Sequence, residues 1–600
     1  PASVVQSLQR YLSSYGIKSS AYPDGLDVTA HGTAAQFNQA LSIGLSDYTV
    51  PAAPAKGPKG AHPGPHGPQH VHASPTPPRV PRDLGSVILS VLGLTNYAPF
   101  VSQAVPAVGH PQTATPSTSS GIPAGQLTPA YFVHHYGLAP VEAAGHVGAG
   151  RTIGIVTLAS LDPTVPSQFW KTLGLHTKAN RITLDNIDGG AGPVSLSAGS
   201  DETSLDVEQS GAIAPQANIV VYQAPNTDYG FVDAFYAAAS DNLAGSVSAS
   251  WGESETAIAV AVAGGTESAT YAQAFDEAFL EMAAQGQSSF VSAGDSGAYT
   301  ALGDTGTTNL SADSPADSPY VTAAGGTTRA GTQTYGPDSV TIPKELTWSS
   351  DYLWPLYKLL GDQTETQAAN TIDSGGGGGY SAVEPRPSYQ QGVSGLGTYS
   401  YREYLTPTDV TDTYGIPLPT MFSYDASPPV KTASAGAGRA IPDLSFNADP
   451  QTGYALYDPQ FTPIYGTPYL QYGGTSFVAP QLNGATAVLA SQLGHRLGFW
   501  NPVIYAAAQG GSSPFTPISG NRVYRGKKYL SQVTASGQTV ALPGSFSNNN
   551  LYYAGTPGTV YNPASGLGYA NLDALGRFFS GPGGPGGPGG PGGPGGPGGP

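Results

Sequence analysis

Gly473-Gly474-Thr475-Ser476-Phe477-Val478-Ala479-Pro480 decides how the rest of this chain is read. The glycine pair lets the backbone approach a neighbour closely, Ser476 stands where a helix would begin, and the small residues Ala485-Thr486-Ala487 beyond Pro480 suit a buried helix. A serine set on such a turn reads as a nucleophile, and a serine hydroxyl needs a positioned base to act. The stretch therefore asks which group takes the proton.

Working outward, 600 residues exceed one compact core, and a hydrophobic content of 39% is enough to bury at least two folding units. Only 10% of residues are charged, against about a quarter in an ordinary globular chain. Forty acids against 23 bases give a net charge of −17, which argues against nucleic acid as a partner. So low a charge density suits an acidic medium, where protonating few carboxylates loses few ion pairs. The absence of cysteine excludes disulfides and thiolate metal sites, and the longest apolar runs, such as residues 257–264, are too short to span a bilayer.

Residues 3–48 read as a small α+β unit: a helical run with Val4, Leu8 and Leu12, a strand over Gly25–Ala30, and a second helix with Ala35, Phe37 and Leu41. Residues 51–81, rich in Pro, Gly and His, read as an insert; Leu84–Leu94 reads as a short helix; Pro106–Pro123 reads as a linker. His62, His66, His70 and His72 of the insert would charge near pH 6 and could loosen it. From Gly150 onward, apolar strands at Ile153–Leu158, Ile219–Tyr222, Val247–Trp251, Phe290–Ala293 and Tyr320–Ala323 alternate with helices at Phe231–Ala239 and Tyr271–Ala284. That order predicts an α/β fold with a mostly parallel sheet. From Gly581 the chain repeats Gly and Pro to Pro600, which reads as a flexible spacer.

No histidine offers itself as the base. His31-Gly32-Thr33 resembles the histidine segment of subtilisins, but Ala34 follows where a second histidine would stand. His134, His135, His146, His176 and His495 lie outside any strand-end motif. Carboxylates remain, and Asp201-Glu202-Thr203-Ser204-Leu205-Asp206-Val207-Glu208 stands out in so poorly charged a chain. On a helix, Glu202 and Asp206 stack on one face. In a cleft such a pair shares a proton, and one member serves as a base at acidic pH; on a surface it is merely a solvated helix face.

In combination, these motifs resemble those of the sedolisins, the serine-carboxyl peptidases, and their kumamolisin-like branch in particular. Glu202 to Glu208 resembles the helix that carries the family's Glu and Asp, Ser292-Ala-Gly-Asp295-Ser-Gly its oxyanion aspartate, and Gly474-Thr475-Ser476 its nucleophile. Ser248 to Gly252, Gly376 to Ser381 and Arg439-Ala-Ile-Pro442-Asp443 add to the likeness, and the leading 110 residues resemble the family's prodomain. The resemblance implies a subtilisin-like sheet with helices on both faces, preceded by a small α+β prodomain. It implies that Ser476 attacks a peptide carbonyl, Glu202 takes the proton, Asp206 tunes Glu202, and a neutral Asp295 supplies an oxyanion donor. Ser248–Gly252 would form the strand along which an extended substrate adds.

The organisation expected is an activation prodomain over 1–105, a linker with the maturation cleavage over 106–126, a peptidase domain over 127–579 and the Gly-Pro tail over 580–600. The function expected is an acid-active, self-processing endopeptidase, secreted into an acidic extracellular environment. Its partners would be protein or peptide substrates and its own prodomain as inhibitor. A non-catalytic surface-binding protein on the same scaffold, and a histidine-dependent subtilisin-like peptidase, are the alternatives. Two family features depart from the pattern. Thr157 stands where kumamolisin-like enzymes extend the acidic network with a second glutamate. The family's Ca2+ site uses two aspartates, and here Gln532 and Asn562 occupy those places, so a degraded or metal-independent site is expected.

Overall fold

The structure, a computed structural model, describes residues 2–50, 69–97, 100–107, 121–305, 307, 309–335, 338–349, 353, 374–403, 405–413, 415–424, 429–434, 436–518, 523–533, 539–547 and 553–580. The Gly-Pro tail, His62 and His66 lie outside the described residues.

The leading unit begins with α1 (Ala2–Ser14), whose Leu8 and Leu12 lie one helical turn apart against Ile17, Leu41 and Ile43. Strands β1 (Lys18–Ala21) and β2 (Val28–His31) form an antiparallel pair. Thr33 then starts α2 (Ala34–Leu41) through a capping box, its Oγ1 accepting from Gln36 N while Gln36 Oε1 accepts from Thr33 N at 2.8 Å. Two expectations are corrected here. The strand β3 (Ser46–Val50) pairs with β4 (Gln69–Ala73), so His70 and His72 sit in a sheet rather than in a loose insert. Helix covers only Arg82–Gly85 of the run expected to be helical to Leu94, because Leu89, Leu92 and Gly93 instead lie against the second unit.

The chain then enters that unit as two short strands, β5 (Val101–Ser102) and β6 (Val105–Pro106). The central sheet follows: β7 (Thr152–Thr157), β8 (Ile182–Asn186), β9 (Asn218–Gln223), β10 (Ser246–Ala249), β12 (Ser288–Ser292), β14 (Thr322–Thr328), β15 (Leu346–Thr347) and β16 (Leu444–Asn447). Between them come β11 (Trp251–Ser254) and β13 (Asp313–Ser314), which pair with each other outside the main sheet. The sheet order is β15-β14-β12-β10-β7-β9-β8, with β16 also on β14, and every pairing is parallel except β14 with β15.

Strand alternation explains the two cores. Ile153 and Ile155 of β7 and Ile219 and Val221 of β9 face one apolar layer, whereas Val156, Val220 and Tyr222 face the other. The second layer is closed by α4 (Asp228–Asp241) and α5 (Tyr271–Ala284) through Phe231, Phe235, Phe275 and Phe279. Each such phenylalanine contributes about 1.5–3 kcal/mol on burial.

Two helices in the first layer matter most: α3 (Ser200–Ile213) and α6 (Thr475–Leu493), which leaves β18 (Tyr469–Gly473), the antiparallel partner of β17 (Tyr454–Tyr457), and lies along the sheet with Val478, Leu482 and Leu489 inward. All fourteen residues of α3 are buried, four acids among them, which an ordinary structural helix does not tolerate. The helices cross closely because Gly484 has no side chain; a Cβ there would stand 2.7 Å from Ser210 O and 3.0 Å from Ile213 Cβ. Gln481 Nε2 donates to Gln209 Oε1 across the same crossing at 3.0 Å.

Candidate active site

Helix α3 presents Glu202 in its first turn and Asp206 one turn further, and α6 presents Ser476 in its first turn. Asp295 follows the carboxyl end of β12. The structure thus brings together all four residues singled out from sequence, beyond the carboxyl ends of the parallel strands where open α/β sheets place their ligand sites.

Ser476 is held by backbone geometry. Gly474, at φ +107°, has the left-handed conformation that disfavours side chains, and a Cβ there would lie 2.0 Å from Gln103 O and 2.7 Å from Asp295 Oδ2. Thr475 N and Oγ1 both donate to Asp295 Oδ1, at 2.8 and 2.9 Å, which fixes that carboxyl beside the helix entry. Burial pushes the Asp295 pKa up to about 8 against these two donors, so its carboxyl is neutral at acidic and neutral pH and its free Oδ2 can carry the proton.

The acid pair has an unequal proton inventory. Burial, and then the neighbouring Asp206, hold the Glu202 pKa well above the carboxylate range, while the Ser102 and Ser476 hydroxyls favour its ionised form. Asp206 is raised by burial and opposed by its bond from Ser250. Ser102 Oγ donates to Glu202 Oε2 and accepts from Ala104 N at 3.2 Å, a pattern that suits an ionised Glu202. Ser250 Oγ lies 2.6 Å from Asp206 Oδ1 and 3.3 Å from Ser476 O, yet a hydroxyl has one proton. Ser250 donates that proton to Asp206 Oδ1, the nearer acceptor, and the Ser476 carbonyl is its more distant alternative. That carbonyl is open because Pro480, four residues on, lacks the N–H that would have bonded it. One carboxyl ionised and its neighbour protonated is the shared-proton state expected of a buried carboxyl pair.

Ser476 Oγ, Glu202 Oε1 and Asp206 Oδ2 are buried without a hydrogen-bond partner. The Ser476 hydroxyl is near enough to Glu202 to favour its ionised form, although the two are not aligned as a hydrogen bond. Thr157, at the place of the family's accessory glutamate, is fully buried and pairs with Thr203 Oγ1 at 2.7 Å while accepting from Trp251 Nε1 at 3.1 Å. It packs the base of α3 and supplies no acid. Arg439 and Asp443 form a fully buried ion pair, Arg439 also donating to Ser318 O and Val321 O, and so brace the sheet away from Ser476. His135 pairs with Glu345 at 3.1 Å and His495 with the carbonyl of Arg496, and neither bonds to a member of this cluster.

Ser102, Gln103, Ser250 and Asp313 were not found from sequence as site residues. The one available signal was Pro480, whose spacing from Ser476 calls for an outside donor.

Asn562 donates through Nδ2 to Ile518 O at 2.8 Å and accepts at Oδ1 from Ala564 N at 3.0 Å. An N–H donor turned into the loop does not fit a cation, so the residue ties its loop by amide hydrogen bonds. Gln532 lies in the strand Val523–Val533, its side chain outside the described residues. Among the described residues no group of three or more His, Asp or Glu side chains is arranged to hold a metal ion. Millimolar calcium is expected to move the melting temperature by less than about 1 °C; a rise of several degrees at micromolar calcium would contradict this.

Residues 1–97 match the pro-kumamolisin activation domain, and residues 191–507, more than half the chain, match the subtilase family. The chain belongs to the subtilase family. Its relatives include kumamolisin of Bacillus sp. (strain MN-32), 32% identical over 60% of this chain and 52% of that protein, and sedolisin of Pseudomonas sp. (strain 101), 28% identical over 88% and 74%. Its fold matches Pseudomonas sedolisin, a serine-carboxyl proteinase solved with two molecules of pseudo-iodotyrostatin, at a TM-score of 0.51 and 25% identity, covering 76% of this chain and 98% of that one. Within that family its likeness is to the sedolisins and kumamolisin. The chain spans about half the length of kumamolisin.

Proposed function

We propose that the protein is an acid-active serine-carboxyl endopeptidase made as a self-processing zymogen, with the unit before residue 105 as its activation domain. The observation that carries this is the convergence of Ser476, the Glu202–Asp206 pair and the neutral Asp295 in one buried site with unmet polar atoms on each.

Ser476 Oγ attacks the substrate carbonyl carbon and its proton passes to Glu202. The developing oxyanion takes hydrogen bonds from Ser476 N–H and the protonated Asp295 Oδ2. Glu202 returns the proton to the leaving amine, and water then hydrolyses the acyl-enzyme by the same steps in reverse roles. Asp206 holds the second proton of the pair, so that Glu202 can gain and lose one without leaving two charges buried side by side. Asp295 must be neutral to donate, which sets the upper edge of the working range at its value of about 8. A secreted protein working in an acidic medium on protein or peptide substrates fits this chemistry and the low charge content.

Incubating the purified chain at about pH 3 to 5 with an unfolded protein is expected to give both self-cleavage and substrate digestion. Neither occurring, in a chain shown to be folded, would sink the proposal and favour a binding protein on this scaffold.

A further inference from the structure

The site is not open. Residues 100–107 run through it as an extended strand: β5 pairs antiparallel with β11, Trp251 opposite Ser102, and β6 pairs antiparallel with β18, Gly473 opposite Val105. Between the two pairings, Gln103 N donates to Ser250 O at 3.1 Å, and Gln103 O accepts from Ser476 N at 3.3 Å. Ala107 N donates to Gln471 O at 2.8 Å on the far side. The carbonyl of Gln103 therefore occupies the place of the oxyanion, beside Gly474 and the free Oδ2 of Asp295.

The side chains are seated as well as the backbone. Phe100 is buried edge-on against Phe231, ring centroids 4.7 Å apart, and its N–H and C=O are both bonded by the Asn226 amide. Gln103 is 6% exposed, and its Nε2 donates to Asp313 Oδ2 at 3.2 Å. Asp313 is wholly buried, walled by Gly252 and Gly294, where a Cβ would come within 2.4 and 2.6 Å of its oxygens. Ala104 sits in an apolar cluster with Leu205, Tyr454, Tyr472 and Phe477. Burial and the surrounding acids hold the Asp313 pKa well above the usual range, so an uncharged carboxyl meets an uncharged amide there.

We infer that Gln103–Ala104 is the bond this protein first cuts in its own chain, and that Asp313 selects the glutamine side chain on its acyl side. The inference rests on the proposed peptidase activity. Ser476 Oγ forms an ester with the Gln103 carbonyl carbon and gives its proton to Glu202; the C–N bond to Ala104 breaks as the proton passes to that nitrogen. Water then cleaves the ester, leaving a Gln103 carboxylate and regenerating Ser476. The products end at Gln103 and begin at Ala104, upstream of the linker expected from composition over 106–126. External substrates are read the same way, with an aromatic residue in the Phe100 place and glutamine at the cut.

Acidifying the purified chain and measuring intact mass with N-terminal sequencing at the earliest time points should give a first new terminus at Ala104. Matured enzyme should cut a synthetic Phe-Val-Ser-Gln-Ala-Val-Pro-Ala peptide between Gln and Ala, and a peptide with Leu for Gln at least about tenfold more slowly in kcat/KM, since Leu leaves the Asp313 carboxyl unpartnered. A first terminus elsewhere, or equal rates on the two peptides, overturns the inference while leaving the peptidase proposal intact. Absence of cleavage of the chain, the peptide and an unfolded protein alike overturns the peptidase proposal instead.

Discussion

Ser476→Ala is expected to lower kcat/KM on an unfolded protein by on the order of 10^6 and to leave the chain unprocessed at acidic pH, because nucleophile and base act as one unit. Glu202→Gln should fall nearly as far, and the double variant Ser476→Ala/Glu202→Gln no further than either alone. Asp295→Ala removes one oxyanion donor of two and should cost about 10^2 to 10^3 in kcat. Asp295→Asn keeps a donor that does not titrate, so it should recover part of that loss and remove the decline in rate as pH climbs toward 8, the value to which burial pushes Asp295. Steady-state kinetics on folded variants test the series. Additive losses for Ser476 and Glu202, or a Ser476→Ala protein that still processes itself without added enzyme, would refute the assignment.

The second large effect concerns stability. Burial raises Asp228 and Asp458 to about 6, Glu384 and Asp295 to about 8 and Glu267 to about 9. A carboxyl that holds its proton more tightly folded than unfolded contributes stability that is complete below the unfolded value near 4 and is lost as pH rises through the folded value. All five act in the same direction between pH 4 and 9, and the net charge of −17 at neutral pH adds self-repulsion. The melting temperature of the Ser476→Ala protein, used to prevent autolysis, is therefore expected to be higher at pH 4 than at pH 7.5 by on the order of 10 °C. A melting temperature that climbs from pH 4 to pH 7.5 would show that these carboxyls are not held neutral in the folded chain.

The parallel sheet was legible because its strands are continuous apolar runs, and the helices at Asp228–Asp241 and Tyr271–Ala284 because their phenylalanines recur at helical spacing. The Glu202–Asp206 pair was legible because charge is scarce in this chain. Serines are not scarce, so Ser250 and Ser102 carried no signal despite their contacts with Asp206 and Glu202. The segment at 100–107 has no periodicity of its own; its strand character comes from β11 and β18, about 150 and 370 residues away in sequence. Sheet order was hidden for the same reason, since β8 precedes β9 in the chain yet lies outside it at the edge. The helix expected to reach Leu94 stopped at Gly85 because Leu89 and Leu92 are drawn to another surface, a tertiary choice that local propensity does not record.

The close crossing at Gly484 sets more than packing. The base rides on one helix and the nucleophile on the other, and both are locked below the site where a methyl group would already be too much. Many enzymes mount their reacting groups on loops that loosen well before the domain melts. Here the two groups are carried on two buried helices packed tightly against each other, so their alignment is expected to hold until that packing is lost. Heating should leave activity intact up to the point where the core itself gives way, and thermal inactivation and unfolding become one event.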